Sequence, residues 1–493
     1  MGNRSGSFLG CAVLVLCVGL GANAQTPPGY GTGLREPLGG QPAPGVKPSV
    51  KDLEEQVVYQ RAFEAVIWSQ PAVGIYGIRR GMFARGMKDN EIMAMSRPLT
   101  DRHELLTANN ATPYIFGNSD LRQGPVVLEV PPASNKGVLY GQAVDAWQET
   151  IADVGPIGLD HGAGGKYLFL PPGYDKAIPQ GYIPVYSQNY RIAFLFRSIE
   201  LPGMTAADAH AYAQTLKMYP LSEAAHPRPT RFVDGYPDRL STLPFYDFRY
   251  YQELYDCLSV EPVRTRDKAM MQMLATIGIE PGKPFSPPQK YKAAMDRAVV
   301  DAYFYMQDHT VKAFIASRYW PDRHWSYDFL MDPNRGFTWD LPSGLFYDNR
   351  SDMFHPGTYY PKEIPERSST VYMSPLQDRD GNQLAAGKVY KLHVPNDVPV
   401  KQFWAVIVYD RATWAFIYNP LARVGLSSYD KAQMKTNADG SVDIYFGPKA
   451  PQGMESNWIP TEGKSPEVIF RLYGPEEPFW NKSFKLPDVE VVP

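Results

Sequence analysis

The sequence predicts a mainly β protein with a helical insert. Short apolar runs separated by Asn, Gly and Pro turns fill residues 104–200 and return after residue 366, while helical periodicity dominates the stretch between them. The 32 tyrosines and 46 prolines point the same way, towards sheet, turn and ordered loop rather than a helical bundle. A chain of 493 residues suggests about three domains at ~150 residues each.

The reading along the chain begins with a leader. Arg4 precedes an apolar run from Phe8 to Gly21 and then Ala22-Asn23-Ala24, a small-x-small site that predicts cleavage before Gln25. The run is too short to span a bilayer, so residues 1–24 read as a signal peptide, with no integral membrane segment after cleavage and a periplasmic or secreted location. Cys11 after Leu9-Gly10 offers a lipoprotein alternative, against which the apolar segment ahead of it is only a few residues long. Cys11 and Cys17 leave with the leader, so Cys257 has no partner for an internal disulfide. Loss of Arg4 moves the formal charge from −3 to −4, too weak to imply nucleic acid or an anionic membrane as partner. No sequence feature specifies an oligomeric state.

Residues 25–48, rich in Pro and Gly, read as a flexible leader. A helix is expected from Ser49, capped with Asp52, to a break at Pro71, opening a domain over 49–200. Strands follow at Pro125–Val130, Gly137–Tyr140, Tyr167–Leu170 and Tyr190–Phe196, the spacing of a β-sandwich. Residues 201–365 form the helical insert and connection. Thr205 caps a helix ending near Tyr219-Pro220, Glu261-Pro262 opens a second that stops at Gly278, and Ser286-Pro287 starts a long third with Tyr291, Met295, Ala298, Ala302, Tyr303 and Met306 on one face. Residues 366–493 form a second all-β domain, with hairpin signals at Asp380-Gly381 and Asp439-Gly440.

No recognised catalytic signature survives inspection. His103-Glu104 begins a zinc-protease motif, but Thr107 stands where the second histidine belongs. Gly162 to Lys166 lacks the first glycine and the closing hydroxyl of a phosphate loop, and Gly425-Leu426-Ser427-Ser428 ends in Tyr429 instead of the glycine of a nucleophile elbow. Asp378 to Asn382 lacks the terminal glutamate of a calcium loop. Asp322, His324 and Asp328 put an imidazole between two carboxylates, yet their spacing fits no standard ligand pattern. No metal and no cofactor is expected.

The motifs Asn109-Asn110-Ala111-Thr112-Pro113-Tyr114, Asp145-Ala146-Trp147-Gln148 and Gly164-Gly165-Lys166-Tyr167, followed by Phe403-Trp404, Asn437 to Ser441, Ser456 to Pro460 and Arg471-Leu472-Tyr473, resemble the paired domain-of-unknown-function families 1254 and 1214 in order and spacing. That resemblance implies an N-terminal immunoglobulin-like β-sandwich, a middle helical region and a C-terminal jelly-roll β-sandwich. The related pattern usually carries Asp where this chain has Ala111, so a carboxylate acting there in relatives has no counterpart here. The expected function is an exported hydrolase acting on a carbohydrate, amide or small organic substrate between the two β domains. The alternative is a non-catalytic ligand-binding or envelope-associated structural protein. Asp145 and Asn109 are the catalytic candidates; Asn110, Thr112, Tyr114, Trp147, Trp404, Asn457 and Trp458 are the candidates for binding a small molecule or glycan. The competing structural reading is that the Asn and Thr side chains close turns and the tryptophans fill sandwich cores.

Overall fold

The computed structural model describes residue 42 and residues 45–201, 203–328, 336–363 and 367–493. The signal-peptide and most of the leader expectation lie outside the described residues. The fold resides in residues 54–493, one of two compact units. It is mostly β, with a helical region between two sandwiches, as the sequence predicts.

The first helix, Leu53–Ala84, runs straight through Pro71, which corrects the expected break. Proline removes an amide donor and crowds the preceding turn, but every residue from Ala65 to Ile75 is buried, and packing outweighs that local cost. Gln148 Nε2 donates to the Pro71 carbonyl at 2.8 Å. A turn later, Gly77 lets the chain come close: a Cβ there would lie 2.4 Å from the Thr242 carbonyl oxygen. The helix shares one core with Arg249–Leu258, Lys268–Ala275 and Gln289–Ala316, through Val66 and Trp68 against Tyr250, Tyr251, Met270 and Met295. Arg249–Leu258 and Tyr347–Phe354 are helices that the sequence reading did not delimit.

In the N-terminal sandwich one sheet orders its strands Phe232–Val233, Ile92–Ala94, Tyr114–Asp120, Arg191–Ile199, Val138–Asp145 and Thr150–Val154; the other orders Lys217–Pro220, Val126–Val130, Gly165–Leu170 and Tyr182–Tyr186. Thr205 does cap a helix, with Asp208 completing a capping box, but that helix ends at Ala213. Lys217–Pro220, expected as helix, is instead an antiparallel partner of Val126–Val130, so the sandwich extends past residue 200.

The C-terminal sandwich has one sheet in the order Ser326–Tyr327, Thr370–Ser374, Pro466–Pro475, Val400–Asp410 and Ala415–Phe416, and a second in the order Trp458–Pro460, Val442–Gly447, Tyr390–Val394 and Glu490–Val491. Two strands, one in each domain, are buried on both faces. In Arg191–Ile199, Ile192, Phe194 and Phe196 enter the N-terminal core, while Ala193 and Leu195 face outwards. In Pro466–Pro475, Val468, Phe470 and Leu472 enter the C-terminal core, while Ile469 faces outwards. The outward residues meet: Leu195, Phe116 and Tyr114 pack with Ile407, Tyr409 and Ile469 in one apolar cluster that joins the domains. Period-two alternation therefore gives each of these strands one face for its own core and one for the neighbouring domain.

Candidate functional site

The joint between the domains opens into a cavity of about 460 Å³. Its N-terminal wall carries Tyr114, Tyr140, Gln142, Leu195 and Arg197; its C-terminal wall carries Tyr372, Ser374, Glu467 and Ile469; Asp328, Tyr359 and Tyr360 come from the segments between. Strand register explains the first wall. Arg197 is paired across the sheet with Tyr114 on one side and Tyr140 on the other, so the three side chains form a row on one face. Register also sets the second wall, where Tyr372 stands opposite Arg471.

Two carboxyls are buried here. Asp328 receives a hydrogen bond from Ser374 Oγ at 3.3 Å, and its Oδ1 has no hydrogen-bond partner among the described residues. Glu467 pairs with Arg411 Nε at 3.1 Å and is 1% exposed. Burial pushes the Glu467 carboxyl up to about 7, outweighing the nearby Arg411. Burial, and then the charge of Glu467, hold Asp328 well above the usual carboxylate range. Burial thus holds both carboxyls up, and the charge of Glu467 adds to the effect on Asp328.

Two guanidiniums lie among tyrosines. Arg197 reaches the hydroxyls of Tyr140, Tyr114 and Tyr372 at 3.4, 3.5 and 3.4 Å, the weak end of hydrogen bonding, and its Nε has no acceptor among the described residues. Arg471 is fully buried and donates to the Thr107 carbonyl at 2.5 Å and to Tyr409 Oη at 2.7 Å, with Tyr372 4.4 Å from its guanidinium carbon. Neither has a carboxylate ion-pair partner among the described residues. Burial raises the Tyr114 phenol, but the charges of Arg197 and Arg471 outweigh it and leave the phenol below its ordinary value. Two residues on the cavity wall, Thr107 at φ +38° and Tyr359 at φ +55°, adopt the left-handed region, and the buried Tyr359 hydroxyl has no partner. Backbone strain of this kind is often found at binding sites.

Of the sequence candidates, Tyr114 reaches this cavity and the others lie elsewhere. Asn109 stands directly behind it: its Oδ1 accepts from the backbone amides of Ala111 and Thr112 at 2.9 and 3.0 Å and from the Thr112 hydroxyl at 3.2 Å. Asn110 is half-buried in the same turn. Asp145 closes a strand end, accepting from the amides of Trp147 and Glu149 at 2.8 and 3.0 Å and pairing with Arg264. Burial and the charge of Glu149 raise Asp145, whereas Glu149, despite its own burial, is lowered by Arg264 and Arg266. Trp147 packs edge-on against Trp68 with ring centroids 4.6 Å apart. Trp404 lies in the C-terminal core. Asn457 ties Lys435 to Asp443 through backbone hydrogen bonds, and Trp458 Nε1 donates to the Gly447 carbonyl at 3.0 Å. Asp322 pairs with Lys485 and His324 with Asp488, so the triplet with Asp328 is dispersed. No group of three or more metal-ligating side chains occurs among the described residues, and no described helix is long and apolar enough to cross a membrane.

Arg197, Asp328, Glu467 and Arg471 were not singled out together from sequence. The usable signal is a charged residue within an otherwise apolar strand: Glu467 and Arg471 alternate with Val468, Phe470 and Leu472 and so fall on the opposite face, beside Ile469, and Arg197 follows Phe194-Leu195-Phe196 on the face of Leu195.

Comparisons with known proteins find two matching family models and a similar fold. Residues 90–220 match the family model described as protein of unknown function (DUF1254), and residues 369–477 match protein of unknown function (DUF1214). The crystal structure of a Vibrio parahaemolyticus protein is similar at 18% identity and a TM-score of 0.51, covering 88% of this chain and all of that one. A putative uncharacterized protein from Burkholderia cenocepacia aligns at 12% identity and a TM-score of 0.40, over 89% of this chain and 96% of that one, too weakly to carry an argument. The first likeness bears on the fold alone. No curated protein matches the chain.

Proposed function

For a chain that carries a 1254 domain followed by a 1214 domain, both of unknown function, we propose a hydrolase acting on a small polar organic molecule in the cavity between the two β domains. The observation that carries this reading is the pair of buried carboxyls on one cavity, of which Glu467 is pushed up to about 7 and Asp328 is held well above its ordinary range. Ionised Glu467 takes a proton from water as the water oxygen bonds to the electrophilic carbon of the substrate. Asp328 delivers its proton to the leaving group as that bond breaks. The pair ends with its protons exchanged and is reset by solvent. Pocket size and a mixed wall of tyrosines and aliphatic residues suit a small organic substrate.

The test is turnover of a panel of glycosides, amides and esters by wild type, Asp328→Asn and Glu467→Gln. Each substitution should lower kcat by about 100-fold or more without loss of thermal stability. Activity untouched by both would sink the reading. Ligand binding without turnover is the second reading, favoured by the ion pair that Glu467 makes with Arg411; measured binding with no turnover of any class would select it. Export belongs to the same proposal, resting on Arg4, the apolar run and Ala22-Asn23-Ala24. Mass measurement of the exported protein should give a chain beginning at Gln25.

A further inference from the structure

We propose that the ligand of this cavity carries a carboxylate, held by Arg197 within the ring of Tyr114, Tyr140 and Tyr372. The proposal rests on the preceding reading only in using the same cavity, and it adds the chemical class of the ligand.

The argument begins with charge. Arg197 lines the cavity, and its only hydrogen-bond partners among the described residues are three phenol hydroxyls at 3.4 to 3.5 Å. Arg197 is half-buried, and a guanidinium drawn partly out of water loses hydration that an anion and well-formed hydrogen bonds restore. Behind it Arg471 adds a buried cation, satisfied in part by the Thr107 and Ala108 carbonyls and by Tyr409, with its Nε and Nη1 left without acceptors among the described residues. The local potential at Arg197 is therefore positive, which suits an anion.

None of the cavity's carboxyls, Asp153, Asp328, Glu363 and Glu467, makes an ion pair with Arg197 among the described residues. Asp153 is held by Gln142 Nε2 at 3.0 Å and by the Lys362 amide at 3.1 Å. Glu467 is turned to Arg411, and Asp328 to Ser374.

Geometry narrows the class. A planar guanidinium presents a fork that matches the two oxygens of a carboxylate, and phenol hydroxyls on either side can donate to the same oxygens. Tyr114 and Tyr140 flank Arg197 across the sheet by register, and Tyr372 approaches from the opposite wall. Lys362 and Arg367 also line the cavity, the latter paired with Glu477, so the carboxylate class rests on the phenol-flanked fork of Arg197. Leu105, Leu195, Phe314 and Ile469 complete the surroundings and favour an aryl or alkyl body behind the acid group.

The test uses the full chain and calorimetric titration with phenylacetate, benzoate and hexanoate, each beside its neutral amide. At least one carboxylate should bind about tenfold or more tightly than its amide. Arg197→Gln should abolish that preference. Because a half-buried arginine can be needed for folding, Tyr140→Phe and Tyr372→Phe serve as milder variants that each remove one hydroxyl; each should weaken the carboxylate about threefold to tenfold and leave the amide unchanged. Equal affinity for acid and amide, or no binding of any acid in the panel, overturns the proposal. So does tyrosinate absorbance near 295 nm in the ligand-free protein that vanishes in Tyr114→Phe, since the counter-charge is then built in. None of these readouts needs turnover, so carboxylate binding stands or falls independently of the roles given to Asp328 and Glu467.

Discussion

The hydroxyl of Tyr114 accepts two hydrogen bonds from Asn109, one from its backbone amide at 3.1 Å and one from its Nδ2 at 2.6 Å. The residue that reaches the cavity is thus aimed by one that does not. Asn109 also satisfies the amides of Ala111 and Thr112, so its side chain closes the loop and sets the phenol in a single arrangement. Truncation strands two amides and frees the ring. Asn109→Ala should cost about 1–3 kcal/mol of stability and also weaken ligand binding. Urea unfolding monitored beside ligand titration checks both, and an unchanged midpoint would show that the loop is held by other contacts.

Arg264 joins Asp145, Glu149 and the side chain of Asn189 at the base of the N-terminal sandwich. The two carboxylates share a guanidinium that is itself only 9% exposed, so removal leaves buried negative charges facing one another. Arg264→Ala should cost about 3–5 kcal/mol. Asp145→Asn should cost less, because the amide oxygen can still accept from Trp147 and Glu149. A thermal shift in the reverse order would overturn this assignment of roles.

The hairpin at Asp439-Gly440 has the glycine at φ +80°, with the Asn437 carbonyl accepting from the Gly440 amide at 2.9 Å. A Cβ at Gly440 would meet the Asn396 side chain at 2.9 Å, adding a contact to the backbone strain. Gly440→Val should therefore cost about 1–3 kcal/mol. The measurement is the unfolding midpoint of the variant, and no shift would count against strain at this turn.

Much of the fold is legible in the sequence because its cues are local. The strands after residue 366 follow alternation and turn residues, and Thr205 with Asp208 is a capping box readable from spacing alone. What escapes is decided by contacts between distant segments. Pro71 stays helical because its surroundings are buried, and Lys217–Pro220 is a strand because Val126–Val130 needs an edge partner. The site divides in the same way. Tyr114 is found through its motif, whereas Asp328 reads as a loop residue near His324 until the sheet brings it to the cavity that Glu467 lines. Polar residues concentrated in motifs drew attention to Asp145 and Asn457, whose hydrogen bonds all go to the protein itself.

The titration of Glu467 sets a pH signature. Its carboxyl is pushed from 4.5 up to about 7 by burial, with Arg411 opposing. Between those values the folded chain keeps a proton that the unfolded chain has lost, so this group's contribution falls as pH rises through the window and is level above it. The loss amounts to at most about 3 kcal/mol. His355 works in the opposite sense, because burial lowers it to about 3 and folding then gains stability as pH rises towards the ordinary histidine value. A whole-protein pH profile would mix the two, but comparison of Glu467→Gln with wild type removes the histidine contribution. Near pH 4 the two proteins should unfold alike, since Glu467 is then neutral and Gln has nearly its shape. At pH 8 the Gln variant should be the more stable, because wild type has had to ionise a buried carboxyl. Denaturant unfolding at the two pH values decides the matter: a variant less stable than wild type at pH 8 would show that the Arg411 ion pair outweighs burial and that Glu467 is an ordinary structural carboxylate.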